Sequence, residues 1–147
     1  MESMNSTRLW HNGGQTRIKI CGVRCLDTAL ELADMGIDAI GLHLFRGRID
    51  TIAIEKTAHI FYSLPLDVTK VLLTNLTDPH QISALVHNCG ADTLQLQSHI
   101  TPEALRQLND LIPAVRIIKT LSANEVSDFR SFVEDYSEIA HAFDIAP

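Results

Sequence analysis

The chain has 147 residues, 46% of them hydrophobic and 20% charged, a balance that fits one ordinary globular domain and excludes general disorder. Its formal net charge of −6 and pI near 5.5 argue against nucleic acid or an anionic membrane as partner of the whole molecule, while leaving room for a local basic pocket that holds a phosphate. No apolar run approaches the roughly 20 residues of a membrane-spanning helix. The N-terminal stretch lacks a signal-peptide core and the three cysteines form an odd set, so a reducing, cytoplasmic setting is expected.

Residues 1–16 are polar, with only Leu9 and Trp10 as bulky apolar groups, and read as a loosely ordered arm that Trp10 tacks to the body. Residues 17–147 read as the domain. Arg17-Ile18-Lys19-Ile20-Cys21-Gly22-Val23 alternates β-branched and polar residues and stops at a glycine, which predicts a strand of about five residues with Cys21 at its C-terminal end. In α/β proteins that end faces the ligand crevice, so the thiol is a candidate for chemistry, although a cysteine is more commonly a small buried packing residue.

Asp27 is expected to cap a helix with Ala29, Leu30, Leu32, Ala33 and Met35 on its apolar face, ended by Gly36. The nearly continuous apolar run 37–45 predicts a parallel strand covered on both faces. Arg46-Gly47-Arg48-Ile49-Asp50-Thr51 is a polar loop, and Ile54 to Leu64 a second helix with Ala58, Phe61 and Leu64 inward. Lys70 to Asn75 predicts a third strand, and Asp78-Pro79 opens a third helix running to His87. A fourth strand is expected at Thr93–Gln97, and a fourth helix after Thr101-Pro102 with Leu105, Leu108 and Leu111 buried. Val115–Leu121 predicts a fifth strand, Asn124–Val133 a fifth helix with Val126, Phe129 and Val133 inward, and Ala140–Ile145 a sixth strand.

Strands and helices therefore alternate with a period of roughly 25 residues, the pattern of a parallel sheet with helical crossovers. Two architectures fit, an open doubly wound sheet and part of an eight-stranded barrel. The first strand lacks a Gly-x-Gly-x-x-Gly turn, which favours the barrel. The expected class is a parallel (β/α) repeat, TIM-barrel-like but incomplete, with six strands and five helices. Cys21, Cys25 and Cys89 and seven scattered histidines show no metal-ligand spacing, so no metal and no cofactor is expected.

Several of these segments resemble the phosphoribosylanthranilate isomerase family. Lys19-Ile20-Cys21-Gly22-Val23 is similar to its opening strand, Gly36-Ile37-Asp38-Ala39-Ile40-Gly41 to its "GADAIGF" segment, and Gly90-Ala91-Asp92-Thr93-Leu94-Gln95-Leu96 to its "GLDVVQLHG" segment. Ile117-Ile118-Lys119 and Phe143-Asp144 fall where its fifth and sixth strands end, so the likeness covers about residues 17–145.

The resemblance implies an isomerase of tryptophan biosynthesis acting by Amadori rearrangement on an aminosugar phosphate. One group protonates the furanose ring oxygen and another removes the proton from sugar C2. It implies Cys21 as base and Asp144 as acid, with Lys19, Arg48 and Gln95 as substrate-binding residues. Read without it, Asp144 is a polar residue at a strand end and Lys19 an alternating strand residue. Arg48 stands nearest to the arginine of the family's "SPRYVSP" segment, and Gln97 and Ser98 replace the histidine and glycine of "QLHG". The family's seventh and eighth strands, with their phosphate-binding loops, have no counterpart in the 147 residues. Partners implied are a small phosphosugar substrate and a homo-oligomer or complementing chain, with no nucleic acid and no membrane. The competing reading is an inactive or repurposed barrel fragment that serves as an assembly module.

Overall fold

Six strands alternate with five α-helices in a computed structural model that describes residues 7–11, 13–47, 49, 51–124 and 127–147. In chain order they are β1 (Lys19–Cys21), α1 (Leu26–Asp34), β2 (Ala39–His43), α2 (Ile54–Ser63), β3 (Thr69–Thr74), α3 (Pro79–Cys89), β4 (Thr93–Leu96), α4 (Pro102–Leu111), β5 (Arg116–Ser122), α5 (Phe129–Tyr136) and β6 (Ala142–Ala146). All strand pairs are parallel, and the sheet order β1-β2-β3-β4-β5-β6 follows the chain. A doubly wound sheet reverses its order at a switch point. This one does not, so the open-sheet alternative is set aside: the helices pack on one face, where the usual right-handed crossover puts them, and the sheet curls around the other.

The two faces hold different cores. Ile40, Leu42, Leu72, Leu94 and Ile117 point outward and are fully buried against helix residues including Ala29, Ile60, Phe61, Ile82, Leu105 and Leu108. Burying each such aliphatic side chain contributes about 1.5–3 kcal/mol, so this layer holds the sheet in place. On the inner face Ala39, Val71 and Leu73 pack with Phe45 and with Leu9 of the N-terminal segment.

That segment sits at the N-terminal ends of the strands. A short 3-10 turn at Arg8–Trp10 is tied down by Arg8 N to Asp67 O (2.8 Å), Leu9 N to Thr69 Oγ1 (3.0 Å) and Trp10 Nε1 to Thr93 Oγ1 (2.9 Å). The Trp10 ring lies 5.6 Å beneath the Arg116 guanidinium and edge-on to His141.

The repeated Gly-x-Asp pattern does the same work twice. Gly36 and Gly90 have φ of +85° and +73° after α1 and α3, a conformation that favours glycine. Two residues later the carboxylates reach back across the sheet: Asp38 accepts from Ile18 N at 2.8 Å, and Asp92 from Lys70 N at 3.1 and 3.2 Å. Each aspartate thereby pins the start of a neighbouring strand.

Several expected details differ, among them Phe129, expected inward in the fifth helix but exposed. Helix α1 starts one residue before Asp27, with Cys25 O accepting from Ala29 N, and Asp27 lies in the first turn where its charge suits the helix dipole. Ala29 and Ala33 carry its burial, while Leu30 and Met35 are exposed. Helix α5 begins at Phe129 because Asp128 caps it, accepting from Arg130 N and Ser131 N. Val126, expected in that helix's core, lies outside the described residues. No helix among the described residues is long and apolar enough to cross a membrane.

Candidate active site

Side chains of alternate residues face inward, so β1 contributes Lys19 and Cys21, β4 contributes Gln95, β5 Thr120 and β6 Asp144. Cys21 closes β1 and is exposed. Its register partner is Gly41, where an added Cβ would stand 2.8 Å from Cys21 Sγ and 3.3 Å from its Cα. The glycine leaves the room that the thiol occupies. Beside it His43 leans over the backbone that follows Cys21: a Cβ on Gly22 would lie 3.5 Å from His43 Cε1. Phe45 holds the imidazole from above, with ring centroids 4.9 Å apart.

Across the sheet the polar groups join. The Lys19 ammonium donates to Gln95 Oε1, and Gln95 Nε2 donates to Asp144 Oδ2 at 3.0 Å and to Thr120 Oγ1 at 3.2 Å. The Thr120 hydroxyl is 3.4 Å from the same Asp144 oxygen, its own register partner across β5 and β6. Lys19, Gln95 and Asp144 are thus brought together, with Cys21 two residues beyond Lys19 on the same face. Thr120 was not singled out from the sequence: it looks like any strand threonine until the register sets it opposite Asp144. Arg48 lies outside the described residues.

The other cysteines differ in chemistry. Cys25 Sγ lies 3.0 Å from Thr28 Oγ1, and hydrogen bonding from Thr28 lowers its pKa. Cys89 is buried in α3, and burial pushes its thiol up to about 11. Lys119, on the outward face of β5, is 3% exposed and donates to Ser98 O and Thr120 O, its ammonium over the Phe132 and Tyr136 rings. A polar cavity of about 360 Å³ opens above it, lined by Ser98, Thr120, Ser122 and Asp128 among others. Among the described residues no three His, Cys, Asp or Glu side chains converge as a metal site would.

A sequentially ordered parallel sheet with a thiol, an ammonium, an amide and a carboxyl on its inner face is the architecture of the (β/α) barrel enzymes, whose reacting groups gather at the C-terminal strand ends. No family model matches the chain. Curated relatives do: N-(5'-phosphoribosyl)anthranilate isomerase 2 of Methanosarcina mazei is 36% identical over 105 residues, 70% of this chain and 46% of the relative. The isomerase of Methanocella arvoryzae is 30% identical over 129 residues, 86% of this chain and 60% of the relative. Phosphoribosyl anthranilate isomerase from Thermus thermophilus superposes with a TM-score of 0.75 over 88% of this chain and 62% of that one, at 23% identity. The sequence relationship places the chain in the phosphoribosylanthranilate isomerase family, and the superposition gives its fold. The chain spans about half the length of the curated relatives it matches.

Proposed function

We propose that the protein acts as a phosphoribosylanthranilate isomerase, with Cys21 as general base and Asp144 as general acid. The observation that carries this is the shared inner face of Cys21 and Asp144, with Asp144 held by Gln95 and Thr120. Asp144 gives a proton to the furanose ring oxygen while the glycosylic nitrogen's lone pair breaks the C1–O bond and forms an iminium. The Cys21 thiolate removes the C2 proton, and those electrons neutralise the iminium as an enolamine. Protonation at C1 and loss of the C2 hydroxyl proton give the aminoketose. No electrons leave the substrate, so no redox cofactor is required. Arg48 is proposed to meet the anthranilate carboxylate.

The substrate is a phosphosugar, in keeping with a related isomerase (TM-score 0.74) seen in complex with reduced 1-(o-carboxyphenylamino)-1-deoxyribulose 5-phosphate. A homo-oligomer accords with the dimeric isomerase of Thermotoga maritima. The assembly-module reading is not favoured, since the curated relatives are named as enzymes.

That reduced compound is also the test. Titrated into the protein, it is expected to bind with saturation and to protect Cys21 from alkylation. Binding that is absent, or that leaves Cys21 as reactive as before, overturns the proposal.

A further inference from the structure

Lys19, Gln95, Thr120 and Asp144 come from four strands, yet their polar atoms form one connected path from β1 to β6. An ammonium has donors and no acceptor, so Lys19 faces the oxygen of the Gln95 amide. The amide nitrogen must then face the other way, where it meets Asp144 Oδ2 at 3.0 Å and Thr120 Oγ1 at 3.2 Å. Gln95 is 2% exposed. Flipping its amide would set the NH2 against an ammonium and turn the carbonyl toward Asp144 Oδ2, so that the buried Gln95 would lose its donors' partners and Lys19 its acceptor.

Among the described residues both side-chain donors that reach Asp144, from Gln95 and from Thr120, meet the same oxygen, Oδ2. We propose that Lys19 and Gln95 are positioning residues for Asp144: Lys19 locks the Gln95 amide, and Gln95 with Thr120 grips the carboxyl by Oδ2, leaving Oδ1 to carry the transferable proton. This rests on the reading of Asp144 as the acid. When Oδ1–H gives its proton to the ring oxygen, the C1–O bond breaks and the carboxyl becomes a carboxylate. The donors already on Oδ2 strengthen as that charge appears, because hydrogen bonds to an ionised acceptor are roughly twice as strong as neutral ones. The path therefore acts on the proton-transfer step rather than on substrate binding.

Two arms test it on the full chain. In the first, the Asp144 carboxyl carbon and the Gln95 side-chain amide are followed by NMR without substrate. Lys19→Met is expected to shift both resonances, although Lys19 makes its contact with Gln95 and not with Asp144. Lys19→Arg, which keeps a donor, is expected to restore them. In a Gln95→Leu background Lys19→Met is expected to leave Asp144 where it was. An Asp144 resonance that ignores Lys19→Met, or that moves equally without Gln95, overturns the path.

In the second arm, with phosphoribosylanthranilate, Lys19→Met and Gln95→Leu are expected to lower kcat about ten- to a hundred-fold with KM changed less than about two-fold. A rise in KM at unchanged kcat makes the two residues substrate ligands and overturns the proposal. Absence of turnover in the unmutated protein sinks the functional reading, while the NMR arm still decides the path.

Discussion

Gly41 stands directly across from Cys21, and the Cβ it lacks would lie 2.8 Å from Cys21 Sγ and 2.9 Å from Leu73 Cδ1. The second strand thus makes room for the thiol of the first. Gly41→Ala must push Sγ or Leu73 aside, and overpacking of this kind costs about 1–3 kcal/mol. We expect a lower urea midpoint at unchanged m-value and a changed rate of Cys21 alkylation. An unchanged midpoint and rate would mean that the thiol does not need this space.

Cys25 and Cys89 are expected to react in a fixed order. Hydrogen bonding from Thr28 favours the Cys25 thiolate, whereas burial holds the Cys89 thiol up at about 11. With limiting iodoacetamide near neutral pH, peptide mapping should find Cys25 labelled well before Cys89, and Thr28→Val should slow Cys25 alone. Early labelling of Cys89 in folded protein would contradict the packing of α3.

His141 gives the fold an acid-sensitive point. Its Nδ1 accepts from Ile117 N at 3.0 Å, which requires the ring nitrogen unprotonated. Burial first, and then the Arg116 charge, lower its pKa from 6.5. Since the folded value lies below the unfolded one, the contribution is present above about pH 6.5 and is lost as pH falls through the lower folded value. His141→Asn, which keeps an acceptor and does not titrate, is expected to flatten the stability profile between about pH 7 and 5. A profile identical to that of the unmutated protein would contradict this.

Trp10 closes the lower end of the sheet through Thr93 and Arg116. Trp10→Ala removes a half-buried aromatic and leaves the Thr93 hydroxyl without its donor, for a loss of about 2–3 kcal/mol. Thermal melting measures it, and a loss below about 0.5 kcal/mol would make the N-terminal segment a passive cover.

The alternation of strands and helices was legible because the outward faces repeat apolar residues such as Ile40, Leu42, Leu72 and Leu94, and because Asp78-Pro79 and Thr101-Pro102 mark helix starts chemically. Helix α5 was harder. Asn124 and Asp128 are both capping residues, and only the observed bonds to Arg130 N and Ser131 N decide between them. For the site, Cys21 stood out by its place at a strand's C-terminal end, its role as base and the choice of Asp144 came from likeness to a family, and Thr120 came from no local signal. Its role depends on the register that sets it across from Asp144, a relationship between strands more than twenty residues apart that no short window contains.

The central claim is that Cys21 and Asp144 work as base and acid on one substrate. The most direct measurement is turnover of phosphoribosylanthranilate, followed by loss of its anthranilate-type fluorescence, in the unmutated protein beside Cys21→Ala and Asp144→Ala. The account predicts measurable turnover that falls by about 100-fold or more in each variant, as loss of a positioned acid or base does. Turnover that survives either substitution, or a folded protein that leaves the substrate untouched, would contradict it.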